Sequence, residues 1–147
     1  DHTGGLDDFL GKNRNVALYI PSSFRLRSDA AREFFVVTGP VEIGEGVFST
    51  GELRGIEQSI VVETEKGPVV IAGCSHPGVG DILSAAAAHG DVYGLIGGLH
   101  GSTEFEKMEK LGLICPTHCT VHKDEIASRC PDTCVEGGAG AVINLPD

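Results

Sequence analysis

Three segments of this 147-residue chain repeat one arrangement, and that repetition limits the fold more than any other feature. "VVIAGCSHPG", "GLIGGLHG" and "LICPTHCT" each run a short apolar stretch into a Gly- or Pro-containing turn and then a histidine: His76, His100 and His118. Short apolar runs bounded by turn residues read as buried strands. Helical segments follow, at 81–90, 102–112 and 122–129. Strands followed by strand–helix alternation place the chain in the α/β class. In layered α/β folds the loops leaving strand ends form the site, because the sheet holds them rigidly on one side. Three of the six histidines share that placement.

The remaining elements follow from local signals. Residues 3–10 can form a short helix with Gly11 as its C-cap. A strand is expected at 16–20, stopped by Pro21, then a helical turn over 28–34 leading into a strand at 33–39. "SIVVETEKGPVVIAG" places two β-branched runs around Glu65, Lys66 and Gly67 and reads as a hairpin. Thr103 with Glu106 fits a capping box for the helix at 102–112, which Gly112 ends. Pro116 stops the strand that opens at 113, and "AVINL" (141–145) predicts a last strand. No internal repeat, low-complexity segment or interdomain linker interrupts the chain.

Composition narrows the partners. A formal net charge of −10 opposes nucleic acid or an acidic membrane as partner, since phosphate binding needs clustered Lys and Arg. Arg25, Arg27 and Arg32 form the one basic cluster, read as a solvated loop. No apolar run approaches the roughly 20 residues that span a bilayer, and the opening residues do not read as a signal peptide. The expected partner is a small-molecule substrate; oligomeric state is left open. Five cysteines cannot all pair internally, which favours free or metal-bound thiols in a reducing, cytoplasmic setting.

The chemistry follows from which groups the loops carry. In "GCSHPG" a thiol and an imidazole, Cys74 and His76, leave one tight loop, which suits a soft metal or a nucleophile. A lone histidine there could as well cap the next helix. A phosphate loop is rejected, because its Lys and Ser/Thr are missing. With "GGLHG", "CPTHC" and the opening Asp1-His2 pair, the chain offers imidazoles, a carboxylate and thiols, a donor set that zinc takes in a four- to five-coordinate site. His89 and His122 read as surface residues. Cys115, Cys119, Cys130 and Cys134 permit a rival structural zinc site, C-x3-C-x10-C-x3-C. Its spacing differs from the usual knuckle, however, and Cys115 falls in an apolar strand. Cys115 then reads as core, and Cys130 with Cys134 as a loop pair able to form a disulfide. Glu57, Glu63 and Glu65 look solvent-facing, while Thr50 or Glu52 in "STGEL" could reach a site.

"DHTGGL", "EQSIVVETEKGPVVIAGCSHPGVGDIL", "LIGGLHG", "PTHCT" and "GAGAVINL" together resemble the metallo-β-lactamase superfamily. Within it they resemble the class II metal-dependent hydrolase-like branch, which includes the archaeal dihydropterin–ribofuranosylaminobenzene phosphate synthase. The superfamily carries H-x-H-x-D-H after an early strand, and "DH" resembles its tail. The resemblance implies an αβ/βα four-layer sandwich of which residues 1–147 would be one partial domain, the upstream half missing. It further implies a divalent metal, zinc with iron or manganese as alternatives, and up to two ions in the complete protein. Asp1, His2, Cys74, His76 and His118 become the metal-ligand candidates, with His76 preferred over Cys74 as the central-loop ligand. Asp1 would position metal and water, and His100 would ligate or act on substrate. Three departures stand out. "STGEL" replaces a histidine loop, and Cys74 stands where a metal-bridging Asp should end a strand. Val121 also replaces the glycine of the branch's "HCTG".

The function expected of the parent protein is metal-dependent hydrolysis of an ester, phosphoester or related electrophile by a metal-bound hydroxide. The alternatives are a condensing synthase of that branch, joining a pterin to a phosphorylated ribosyl substrate, and a non-catalytic scaffold. The isolated chain, lacking two histidine ligands, is expected to be inactive and marginally stable.

Overall fold

The structure, a computed structural model, describes residues 3–25 and 33–146. Helix α1 (Leu6–Lys12) leads into strand β1 (Ala17–Pro21), which pairs in parallel with β2 (Glu33–Val37) as a separate two-stranded ribbon. Tyr19 stacks on Phe35 across that pair with ring centroids 5.0 Å apart. The main sheet has six strands in chain order: β3 (Val41–Gly44), β4 (Val47–Ser49), β5 (Ile60–Val62), β6 (Val69–Ala72), β7 (Gly94–Gly97) and β8 (Leu113–Pro116). From β3 to β6 the strands meander antiparallel, whereas β6, β7 and β8 run parallel. Parallel neighbours cannot be joined by a tight turn, so each link crosses the sheet through a helix. Helix α2 (Val79–Ala86), with a 3₁₀ turn at Ala87–His89, joins β6 to β7, and α3 (Phe105–Met108) joins β7 to β8. Helix α4 (Lys123–Arg129) follows β8.

One face of the sheet builds the core. Val61, Val70, Leu95 and Ile114 meet Val79 and Ile82 of α2, Met108 of α3 and Ile126 of α4, all at 0% exposure. The alternation of a strand puts Ile60 and Ile71 on the opposite face, where they lie opposite each other in register and are more than a third exposed. Among the described residues, no helix is long and apolar enough to cross a membrane.

Several local expectations need correction. Helix α1 starts later than residue 3, behind Gly5 at φ 84°, and runs through Gly11 to Lys12; Asn13 ends it by donating to the Phe9 carbonyl. The capping box on 102–112 does not form: α3 is a single turn with Glu104 at its N-cap and no side-chain cap. Instead the Ser102 hydroxyl accepts from the Glu104 N–H at 3.4 Å. Residues 141–146 form no strand, and Val142 is 83% exposed, so the final apolar run gains no sheet partner among the described residues. The β3–β4 hairpin was not foreseen. The helical turn expected over 28–34 falls mostly outside the described residues.

Candidate metal centre

Because β6, β7 and β8 are parallel, their C-terminal ends lie on one edge of the sheet, and the three histidine loops leave from that edge. Backbone and hydroxyl bonds then join loop to loop. The Gly98 N–H donates to the Gly73 carbonyl at 3.2 Å, and the Ser75 hydroxyl to the Gly98 carbonyl at 2.7 Å. The buried Thr120 hydroxyl accepts from the Leu99 N–H at 3.0 Å, while the Val121 N–H donates to the His100 carbonyl at 2.8 Å. Ser75 and His100 both hold left-handed backbone, at φ 58° and 47°. Non-glycine residues in that region cost on the order of 1–3 kcal/mol each and persist where their surroundings fix them.

The donors converge. One ligand atom each from Cys74, His76 and His100 lies within 4.8 Å of the others, and a second such group joins Cys74, His118 and Cys119. Cys74 is common to both. Its thiol contacts Cys119 Sγ at 2.9 Å and lies 3.7 Å from His100 Nδ1; the His76 and His100 rings are tilted, with centroids 5.1 Å apart. Burial, reinforced by the Cys119 contact, pushes the Cys74 thiol up to about 12. Such a thiol stays protonated at neutral pH unless a cation displaces the proton. Two sulfurs and three imidazoles suit zinc and similar borderline-soft cations, so the donor set fits a divalent metal.

Glu57 was read as solvent-facing, and the structure corrects that. Its side chain is only 12% exposed, and its carboxylate crowns the turn after β6. Oε1 accepts from the Cys74 and Ser75 N–H groups, each at 3.0 Å; Oε2 accepts from the His76 N–H at 3.1 Å and lies 3.1 Å from His76 Nδ1. Burial alone would raise this carboxyl, but the N–H groups of Cys74, His76 and Ser75, aided by the His76 ring, outweigh it and hold the group below the usual carboxylate range. Glu57 and Cys119 are the participants that sequence reasoning missed.

The other candidates scatter. Asp1 and His2 lie outside the described residues, as do Arg27 and Arg32. Glu52 accepts from the Ser22 hydroxyl and the Ser23 N–H at 2.6 and 2.8 Å, and Thr50 binds the Ser59 N–H at 3.0 Å, so both tie turns together, and neither joins the two donor groups. His89, read as a surface residue, is instead partly buried against the Phe48 ring at 4.2 Å. His122 meets the edge of Phe105. All five cysteines are free, so Cys130 and Cys134 form no disulfide; Cys115 is buried core, and Cys119 turns to Cys74 instead of completing a four-cysteine site.

Two clefts meet at His76. One, of about 400 Å³, has walls from Leu6, Leu18, Ile20, Phe24 and Ile56 and reaches Cys74 and Glu57. The other, of about 370 Å³, is bordered by His100, Ser102 and Glu104.

No protein-family model matches the chain. The 7,8-dihydropterin-6-methyl-4-(β-D-ribofuranosyl)-aminobenzene-5'-phosphate synthase of Methanocaldococcus jannaschii is 34% identical over an alignment covering 47% of this chain and 28% of that protein. Among solved structures, Tm1679, a metal-dependent hydrolase of the β-lactamase superfamily, superposes with a TM-score of 0.66 at 26% identity, covering 80% of this chain and 60% of that one. The chain thus spans less than two thirds of either relative.

Proposed function

From a fold and local sequence shared with a metal-dependent hydrolase of the β-lactamase superfamily, we propose that this chain carries a divalent-metal site serving hydrolysis of an ester, phosphoester or related electrophile. The observation that carries the reading is the convergence of Cys74, Cys119, His76, His100 and His118 on one sheet edge. Cys74 and Cys119 with His118 would hold the cation on one side, and Cys74 with His76 and His100 on the other. A divalent cation there supplies a Lewis acid and lowers the pKa of water to about 7. The chain's own part is to fix the donors, through loops bonded to one another, and to receive the substrate. The apolar walls of the larger cleft would seat a nonpolar portion of a small-molecule substrate beside Cys74 and His76 and exclude water there. Zinc is the cation the thiol–imidazole set favours, with iron and manganese as alternatives. Five free thiols suit a reducing, cytoplasmic compartment.

The test is metal retained per chain, by elemental analysis after desalting, for the wild type and His118→Ala. About one or two ions per wild-type chain, reduced in the variant, is the expected result; a wild type that retains none would overturn the reading. A second reading is a condensing synthase of the kind the Methanocaldococcus jannaschii relative is named for, supported by the 34% identity. Hydrolysis of model phosphodiesters against formation of a pterin adduct separates the two.

A further inference from the structure

We propose that Glu57 is the positioning residue of this centre: its carboxylate fixes the Cys74–His76 turn and holds the His76 ring with its proton on Nδ1, leaving the lone pair on Nε2. The inference rests on the metal reading of the site. An ionised carboxylate only accepts hydrogen bonds. With Oε2 at 3.1 Å from Nδ1, that ring nitrogen must be the donor, so Nε2 is the nitrogen able to ligate. Such carboxylate–histidine pairs set the tautomer and raise ligand basicity at metal sites. The same carboxylate also takes the N–H groups of Cys74, Ser75 and His76, so one side chain sets both the backbone that aims the Cys74 sulfur and the ring that offers the imidazole. The Leu53–Glu57 bridge, closed by the Leu53 N–H to the Glu57 carbonyl at 2.8 Å, anchors it from outside the turn.

Glu57→Gln separates positioning from simple turn-capping. Its amide oxygen satisfies two donors if it faces the Cys74 and Ser75 N–H groups. The amide NH2 then faces His76 and donates to Nδ1. The opposite orientation sets NH2 against two N–H groups and satisfies fewer partners. The variant should therefore keep the Cys74 and Ser75 bonds of the turn, lose the bond from the His76 N–H, and move the ring proton to Nε2. The readout is the 15N signature of the His76 ring in metal-free protein with the ring neutral, together with zinc affinity by competition with a chelating dye.

Nδ1–H in the wild type, Nε2–H in Glu57→Gln, and zinc binding weakened about 10- to 100-fold is the expected set. A wild-type ring carrying its proton on Nε2 overturns the proposal whether or not the variant folds. So does a folded variant with unchanged tautomer and affinity. If the wild type binds no zinc yet the tautomer switches as described, the metal reading fails while the hold of Glu57 on the ring stands.

Discussion

Gly98 is the position where one added methyl group should damage the centre while every donor residue keeps its identity. Its backbone lies outside the left-handed region, so alanine can adopt it. A Cβ there would sit 2.4 Å from Cys119 Sγ, 2.7 Å from the Gly73 carbonyl oxygen and 2.9 Å from His118 Cε1. Ordinary contact begins near 3.4 Å, so the Cys119 sulfur has to retreat by about 1 Å. The Gly73 oxygen has less freedom, because it is backbone and accepts the Gly98 N–H. Overpacking of this kind costs about 1–3 kcal/mol, offset by about 0.4–1 kcal/mol from the stiffer unfolded chain. A net loss of about 1 kcal/mol lowers Tm by about 2–4 °C in a chain of this size. Metal sites tolerate ligand displacements of only about 0.2 Å, so metal retention should fall further than stability does. Calorimetry and elemental analysis on Gly98→Ala give both numbers. Gly101→Ala is the control, since nothing lies within 4 Å of its added Cβ; it should stay within about 0.5 kcal/mol of wild type. If Gly98→Ala behaves like Gly101→Ala in both assays, His118 and Cys119 do not crowd this strand end and the geometry argued above is wrong.

Truncating Ile82, fully buried between α2 and the sheet, should cost about 2–5 kcal/mol and lower the urea midpoint with the slope unchanged. Glu104 binds Lys107 and the Gly80 N–H at the start of α2, the Lys107 contact contributing most to holding its carboxyl below the ordinary 4.5. That contribution is present above pH 4.5 and is lost as pH falls through the lower folded value, so wild-type stability should drop more steeply on acidification than that of Glu104→Gln; parallel urea midpoints from pH 5 to 3 would contradict this. Cys74, held as a thiol by burial, should resist iodoacetamide at pH 8 in folded metal-free protein and react once urea unfolds it, as read by peptide mass spectrometry.

How much of this was legible in the sequence depended on how local each signal was. His76, His100 and His118 announced themselves because each follows an apolar strand directly, and the parallel arrangement of β6, β7 and β8 then brings the three loops to one edge. Cys119 was visible only as one of four spaced cysteines; its turn toward Cys74, 45 residues away, depends on how two separate loops fold over Gly98. Glu57 was hidden for the same reason. It reaches the turn at 74–76 only because the Leu53–Glu57 bridge redirects the chain before β5, a feature without hydrophobic period. Conversely, "AVINL" has strand-like residues but pairs with no strand among the described residues, and intrinsic preference alone does not make a strand.

The dependence of the donor cluster on three separate strand ends also bears on how the protein is handled. An unfolded chain offers only fragments of the site: Cys74 near His76 in one stretch, His118 next to Cys119 in another. A cation that prefers the assembled cluster therefore binds the native state selectively, and at 100 times its Kd would add about 2.7 kcal/mol to stability. Chelator in a purification buffer would withdraw that increment without altering a single residue. Two preparations of the same chain, differing only in metal supply, would then melt at different temperatures and tolerate storage and proteolysis differently.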